Sequence, residues 1–355
     1  MKKHLLLLSF LCISLFAFAQ NKNEMKALQA FLNQPAVEAA SNAAALGISD
    51  LNNPATWPGV TVESGRITQI DWRSKKLAGN LDLSGFTALT TVKLSNNRLT
   101  GVTVKNCNAL TYLNVGRNRL TALDVSTCPS LQDLRIYRNQ LANIDISGTP
   151  SLKKLNVSSN AMVELNLGNA QNLETLNCSN NRLEMLVISN LPALKNLYAS
   201  YNNLTELTLA GLVNLQNVNL DSNRFSNLYL QDMPNLFTLF VTDNRMQNLS
   251  LKNCSKLSDV DAAYNDLQTF TAEGCPNLTY VELQWNDLTY LNLSNQFQLQ
   301  RLNVGNNQLM TLDVSFDNAL RYLNVSNNYN LTDLRLEGCS MLGMVRGIVN
   351  DDTDI

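Results

Sequence analysis

The sequence predicts a mainly β solenoid: a right-handed coil whose turns each place one short strand in a parallel concave β-sheet, with short extended segments on the convex side and a small helical N-terminal cap. Three observations carry this reading. Twelve asparagines, Asn97, Asn118, Asn139, Asn160, Asn181, Asn202, Asn223, Asn244, Asn265, Asn286, Asn307 and Asn328, recur at unbroken intervals of 21 residues, so one structural unit is stacked repeatedly. Around each asparagine an apolar frame returns, as Leu110, Leu113, Val115, Asn118, Leu120 and again as Leu278, Val281, Leu283, Asn286, Leu288. The return half of each unit has only about ten residues, too few for an amphipathic helix plus two turns. Its alternation, as in Leu123-Asp124-Val125 or Leu291-Asn292-Leu293, has the period of a half-buried extended segment.

From the N-terminus, residues 1–19 read as a signal peptide: Lys2 and Lys3, an apolar run from Leu5 to Phe16, and the small-x-small site Ala17-Phe18-Ala19. Cleavage before Gln20 predicts an exported protein, in the secreted, cell-surface or periplasmic pool. Cys12 lies inside the apolar run, so lipid attachment is not expected. No other run has the roughly 18 apolar residues of a membrane-spanning helix, and no transmembrane anchor is expected. Residues 20–65 form the cap: Met25, Leu28, Phe31 and Leu32 share a helix face, and Val37 to Leu46, with five alanines, predicts a second helix. Residues 66–342 hold the repeats. They open with a degenerate coil (Ile67, Ile70, Trp72, Leu77, with Lys76 near the asparagine slot), and one residue is inserted near Tyr329 before Leu331, Leu334, Leu336, Cys339 and Leu342. Residues 343–355 form a C-terminal tail.

The asparagine at each corner has a structural task. The repeated tight turn leaves inward-facing backbone groups, and a buried amide both donates and accepts. An interior replacement such as Asn181→Ala is expected to cost about 1–3 kcal/mol. Cys107, Cys128, Cys254 and Cys275 each follow a ladder asparagine by ten residues, in a slot held elsewhere by Thr149, Ala170, Leu191, Leu212 and Met233. Free cysteine packs there as a small apolar group. The pairs Cys107/Cys128 and Cys254/Cys275 would sit about a strand spacing apart.

Composition narrows the chemistry. Cleavage of the leader leaves 25 basic against 29 acidic residues, which favours neither nucleic acid nor an anionic membrane. It also removes His4, the single histidine, and with it any histidine-based nucleophile pair or histidine-ligated zinc site. No aspartate run has calcium-loop spacing. No cofactor, no metal and no catalytic residues are expected, and the chain is expected to be a monomeric binding protein rather than an enzyme.

The 21-residue frame, with cysteine in the second apolar half of several units, is similar to that of the bacterial internalin J type of leucine-rich-repeat protein, over about Ile67 to Leu342. The segment Trp57-Pro58-Gly59-Val60 through Ile70 resembles the cap that opens many bacterial and plant-type leucine-rich repeats. The resemblance implies a cell-surface protein acting in adhesion or protein recognition.

On the concave face, positions between the apolar strand residues and just before each asparagine separate two zones. The first four asparagine-bearing coils carry Lys93, Arg117, Arg135, Arg138, Lys153 and Lys154 against Asp133; the fifth to tenth carry Glu174, Asp221, Asp243, Asp259, Asp261 and Glu282 against Lys195. The acidic zone also holds aromatics: Tyr198 and Phe240 in one column, Tyr201, Tyr264 and Trp285 in another, the last two close enough to stack. Exposed aromatics are enriched at recognition hot spots. The candidate ligand site is therefore Tyr198, Tyr201, Phe240, Asp243, Asp261, Tyr264, Glu282 and Trp285, with Arg117, Arg135, Arg138 and Lys154 as a secondary basic zone. A protein or peptide partner is the leading expectation and a glycan the alternative. A glycosidase built on Asp261 and Glu282 is the remote one, because a shallow open face is not expected to raise either carboxyl pKa.

Overall fold

The computed structural model describes residues 22–168, 170–293 and 296–347; the signal-peptide reading and most of the tail reading lie outside them. It is a β-solenoid of leucine-rich-repeat type with about thirteen turns. The chain divides into two compact units, residues 1–173 and 174–355.

The first unit begins with a helix over residues 22–32. Leu28, Phe31 and Leu32 are its buried face, and Phe31 stacks on Trp72 with ring centroids 6.0 Å apart. The second predicted helix is much shorter than Val37 to Leu46: it spans only Asn42–Leu46. Tertiary contact overrides the alanine propensity, because the Val37 N–H is drawn to the Lys76 carbonyl. The helix starts only where Ser41 Oγ accepts from the Ala44 N–H and stops at Gly47 with φ of 70°. Val60–Glu63 then pairs antiparallel with Arg66–Asp71, covering the edge of the sheet with a hairpin. Gly59 makes this possible, since a Cβ there would fall 2.1 Å from the Asp71 carbonyl oxygen. Parallel strands Thr91–Lys93, Tyr112–Asn114, Asp133–Arg135 and Lys154–Asn156 follow. In the return half Ala78–Asp82 pairs with Arg98–Thr103.

The second unit repeats the pattern from Thr175–Asn177 onward, each strand in register with the residue 21 positions later: Leu197 with Val218, Val218 with Leu239, Val260 with Val281. Its return halves form two three-stranded sheets, Asn227–Gln231 with Asn248–Lys252 and Thr269–Glu273, and Tyr290–Asn292 with Thr311–Asp313 and Asp333–Arg335. After Asn328 the register lengthens to Tyr322 opposite Met344, and Tyr329 carries the inserted residue outward into solvent. Met344–Arg346 adds one more parallel strand within the segment read as tail.

Nine ladder asparagines are buried, while Asn139, Asn160 and Asn181 are half-buried. Asn118 shows the geometry: Oδ1 accepts from the Leu99 N–H at 3.0 Å, and Nδ2 donates to the carbonyls of Leu94 at 3.0 Å and Val115 at 2.9 Å. Each amide thus ties its own corner to the preceding coil. The degenerate first coil has no such amide, and Asn97 Oδ1 accepts from both Lys75 and Leu77.

The six described cysteines are free, and five are fully buried. Cys107 and Cys128 donate S–H to the carbonyls of Leu83 and Val104. Burial pushes the Cys107 and Cys178 thiols up to about 12 and that of Cys128 to about 11. Thiolate is the reactive form. At pH 8, Cys107, Cys128 and Cys178 should therefore resist iodoacetamide until urea unfolds the coil; mass spectrometry finding them alkylated in folded protein would contradict this packing.

Candidate functional site

The main sheet exposes two kinds of position. Strand residues such as Tyr198, Phe240, Asp261 and Glu282 occupy one column, matched coil to coil through Asn219 and Asn303. They are half-buried between their neighbours. Tyr201, Asp243, Tyr264 and Trp285 are different. Each immediately precedes a ladder asparagine at the corner leaving the strand, with positive φ of 55°, 56°, 55° and 59°. Arg117 and Arg138 hold the same slot in the first unit, at 55° and 53°. The sequence reading put the aromatics on a strand column; the structure puts Tyr201, Tyr264 and Trp285 on the turn beside it.

This distinction matters because left-handed backbone disfavours bulky side chains by roughly 1–2 kcal/mol, and asparagine tolerates it best. Other coils comply with Asn96, Asn180, Asn306 and Asn327 in that slot. Tyr201, Tyr264 and Trp285 do not, and they stand 59%, 52% and 51% exposed. Tyr264 and Trp285 stack at 5.9 Å with an 11° interplanar angle. Phe237 and Tyr280, at the strand entrances, are exposed on the same face. Sequence reasoning missed them because it read their columns, which hold Glu174 and Lys195 or Asp259 in other coils, for charge alone.

The acids divide by partner. Glu282 accepts from the Arg301 guanidinium through one oxygen and from Asn303 Nδ2 at 2.9 Å through the other. Lys195 is held by Glu174 at 2.8 Å. Among the described residues no ion pair reaches Asp221, Asp243, Asp259 or Asp261. Asp221 accepts from the Thr242 N–H at 2.8 Å and from Asn219 Nδ2 at 2.9 Å. Asp261 accepts from the Ala263 N–H at 3.1 Å, and Asp243 from Ser222 Oγ at 2.9 Å. Burial raises the pKa of Asp221, Asp259 and Asp261. This corrects the expectation that an open face would leave Asp261 unperturbed: neighbouring side chains desolvate a carboxyl that sits between them.

In the first unit the basic zone is partly neutralised. Arg135 donates to both oxygens of Asp133, at 2.9 and 2.8 Å, and lies 5.4 Å over the Tyr112 ring. Arg117, Arg138 and Lys154 remain exposed. In the second unit the sequence reading overlooked Tyr322, whose ring has Arg301 at 4.1 Å and Arg346 at 5.8 Å. Three grooves of about 390 to 440 Å³ lie among the return-half segments rather than on this face, for example between Met185–Ser189 and Glu206–Thr208. Among the described residues no group of His, Cys, Asp or Glu is arranged to hold a metal ion, and no helix is long and apolar enough to cross a membrane.

A Leucine Rich Repeat family model matches residues 172–194. Among solved structures, an internalin, InlF, from Listeria monocytogenes superposes with a TM-score of 0.65 over 90% of this chain and 98% of its own, at 19% identity. The functional domain of InlJ from Listeria monocytogenes, which includes a cysteine ladder, gives 0.57 at 23% identity; 74% of this chain is covered, and it spans 66% of that domain. YopM, a leucine-rich effector protein from Yersinia pestis, gives 0.56 at 24% identity over 75% of this chain and 85% of its own. No curated protein matches the sequence. At these identities the likeness is one of fold: an internalin-like leucine-rich-repeat solenoid.

Proposed function

We propose that the chain is an exported binding protein that recognises a protein or peptide on the strand face of its second unit, through Tyr198, Tyr201, Phe240, Asp243, Asp261, Tyr264, Glu282 and Trp285. Export rests on the leader sequence at residues 1–19. The observation that carries the site is the replacement of asparagine by large, half-exposed aromatics at left-handed corners. An unfavourable backbone residue retained at a surface points to function more than to stability. Catalysis is not assigned. Burial does lift Asp261, but both oxygens of its neighbour Glu282 are engaged by Arg301 and Asn303, so neither is free to act as nucleophile or base.

The stacked Tyr264–Trp285 pair also has the form of a platform for a sugar ring, which supports a glycan as the second reading. The test is Tyr264→Asn/Trp285→Asn, which restores the residue other coils use and so spares the backbone. With melting unchanged, binding to arrayed secreted and surface proteins should fall by about tenfold or more. Binding that weakens with salt indicates a charged protein partner, whereas salt-tolerant binding to a glycan array selects the second reading. Full binding by the double variant would remove the site from this face.

A further inference from the structure

Two places on the strand face share three parts: an aromatic ring, a carboxylate, and an arginine that pairs with the carboxylate and lies over the ring from the strand beside it. In the first unit Arg135 lies over Tyr112 and pairs with Asp133. In the second, Arg301 lies over Tyr322 and pairs with Glu282. The Tyr264–Trp285 pair reproduces the first two parts. Asp261 precedes Tyr264 by three residues in the same coil. Asp243 occupies the same corner slot one coil earlier, where its N–H donates to the Ala263 carbonyl at 3.1 Å just as the Tyr264 N–H donates to Gln284 at 3.0 Å. The third part is missing: among the described residues no cation lies over either ring, and neither carboxylate has an ion pair. Two cations of this face, Lys195 and Arg301, are held by Glu174 and Glu282, and Arg346 lies over Tyr322.

Resting on the binding reading above, we infer that the partner supplies an arginine side chain that stacks on the Tyr264–Trp285 pair, with its charge taken up by Asp243 and Asp261. A guanidinium suits this place better than an ammonium. It is planar and weakly hydrated, so it can lie flat on an exposed aromatic face while its edge donates to two carboxylates. Asp261, already half-desolvated and short of counter-charge, loses little further hydration when such a cation arrives, and Asp243 stands exposed to it. Both arginines that complete the arrangement within the chain do so with charge-assisted hydrogen bonds. The partner is thus expected to be a protein or peptide presenting an exposed arginine on a segment that can lie along the corner column.

The test is selection of a phage-displayed random peptide library on the purified protein, followed by affinity measurements with synthetic versions of the selected peptides. Trp57 and Trp72 are buried and Trp285 is exposed, so quenching of tryptophan fluorescence reports occupancy of this place. Selected peptides should share an arginine, and replacing it by neutral, isosteric citrulline should weaken binding by about tenfold. Asp243→Asn/Asp261→Asn should weaken the arginine peptide to the same extent and leave the citrulline peptide unchanged, which a folding defect would not do. Peptides that depend on Tyr264 and Trp285 yet show no arginine preference would overturn this inference while leaving the binding face in place. If no selected peptide loses binding in Tyr264→Asn/Trp285→Asn, both fall.

Discussion

Asp317→Asn should stabilise the second unit at pH 8 and leave it nearly unchanged at pH 4. Asp317 is 0% exposed, and it occupies the core slot that other coils fill with Cys254, Cys275 or Met233. One carboxyl oxygen accepts from the Gln296 N–H at 2.8 Å; the other, like Oε1 of Gln296, is buried without a donor. Burial, with a smaller contribution from Asp313, pushes its pKa up to about 7. Cys339, in the next coil of the same slot, is neutral and donates its S–H to Val314. The sign follows from linkage. With the folded pKa raised above the unfolded value, the folded state holds its proton between roughly pH 4 and 7 while the unfolded chain gives it up, so stability falls as pH rises through that window and levels off above it. A three-unit difference corresponds to about 4 kcal/mol as an upper limit. Asparagine mimics the protonated form at every pH. Hydrogen exchange of the strands around Thr311–Asp313 and Tyr322–Asn324, compared at pH 4.5 and 8, should show the variant gaining protection only at the higher pH. Parallel pH profiles for the two proteins would mean that Asp317 is not the titrating group.

Asn265→Ala should destabilise the second unit, as should the loss of any of its buried ladder amides. The Asn265 Oδ1 accepts from the Met246 N–H at 3.1 Å, and its Nδ2 donates to Val241 at 3.0 Å and to Ala262 and Ala263 at 3.2 Å. Removing the amide strands the buried Met246 N–H and takes one of two donors from the carbonyls of Val241, Ala262 and Ala263, which keep Asn244 Nδ2, Asn286 Nδ2 and the Asp243 N–H. One stranded buried N–H sets the scale, and a net loss of about 1–3 kcal/mol is expected. Asn160→Ala in the first unit should cost less, because Asn160 is half-buried and water can reach the groups it leaves. Urea melts of both variants measure the difference; equal losses would show that burial does not set the worth of a ladder amide.

Much of this protein is legible before folding, and the reasons are local. The interval between asparagines sets the coil length, and the register of Leu197 with Val218 or Val260 with Val281 follows that interval without adjustment. The stacking of Tyr264 on Trp285 follows too, since residues 21 apart must be neighbours. Other features escape the period. Val37 to Leu46 has helical composition, yet its first half is drawn to Lys76, a contact no window of the cap sequence contains. Asp317 lies in the slot identified for the cysteines, but an acid there is unremarkable in sequence until the packing removes its solvent.

The sequence by itself determined the coil, its repeat, the ladder and the columns of the face, because each depends on a pattern read along the chain. Only the tertiary structure decided which charges on that face are already neutralised and which aromatics sit on left-handed corners. It alone shows Glu282 held by Arg301 while Asp243 and Asp261 have no such partner among the described residues. The physical reason is that desolvation and ion pairing act across coils, through the directions side chains take once packed, and a one-dimensional period carries no record of those directions.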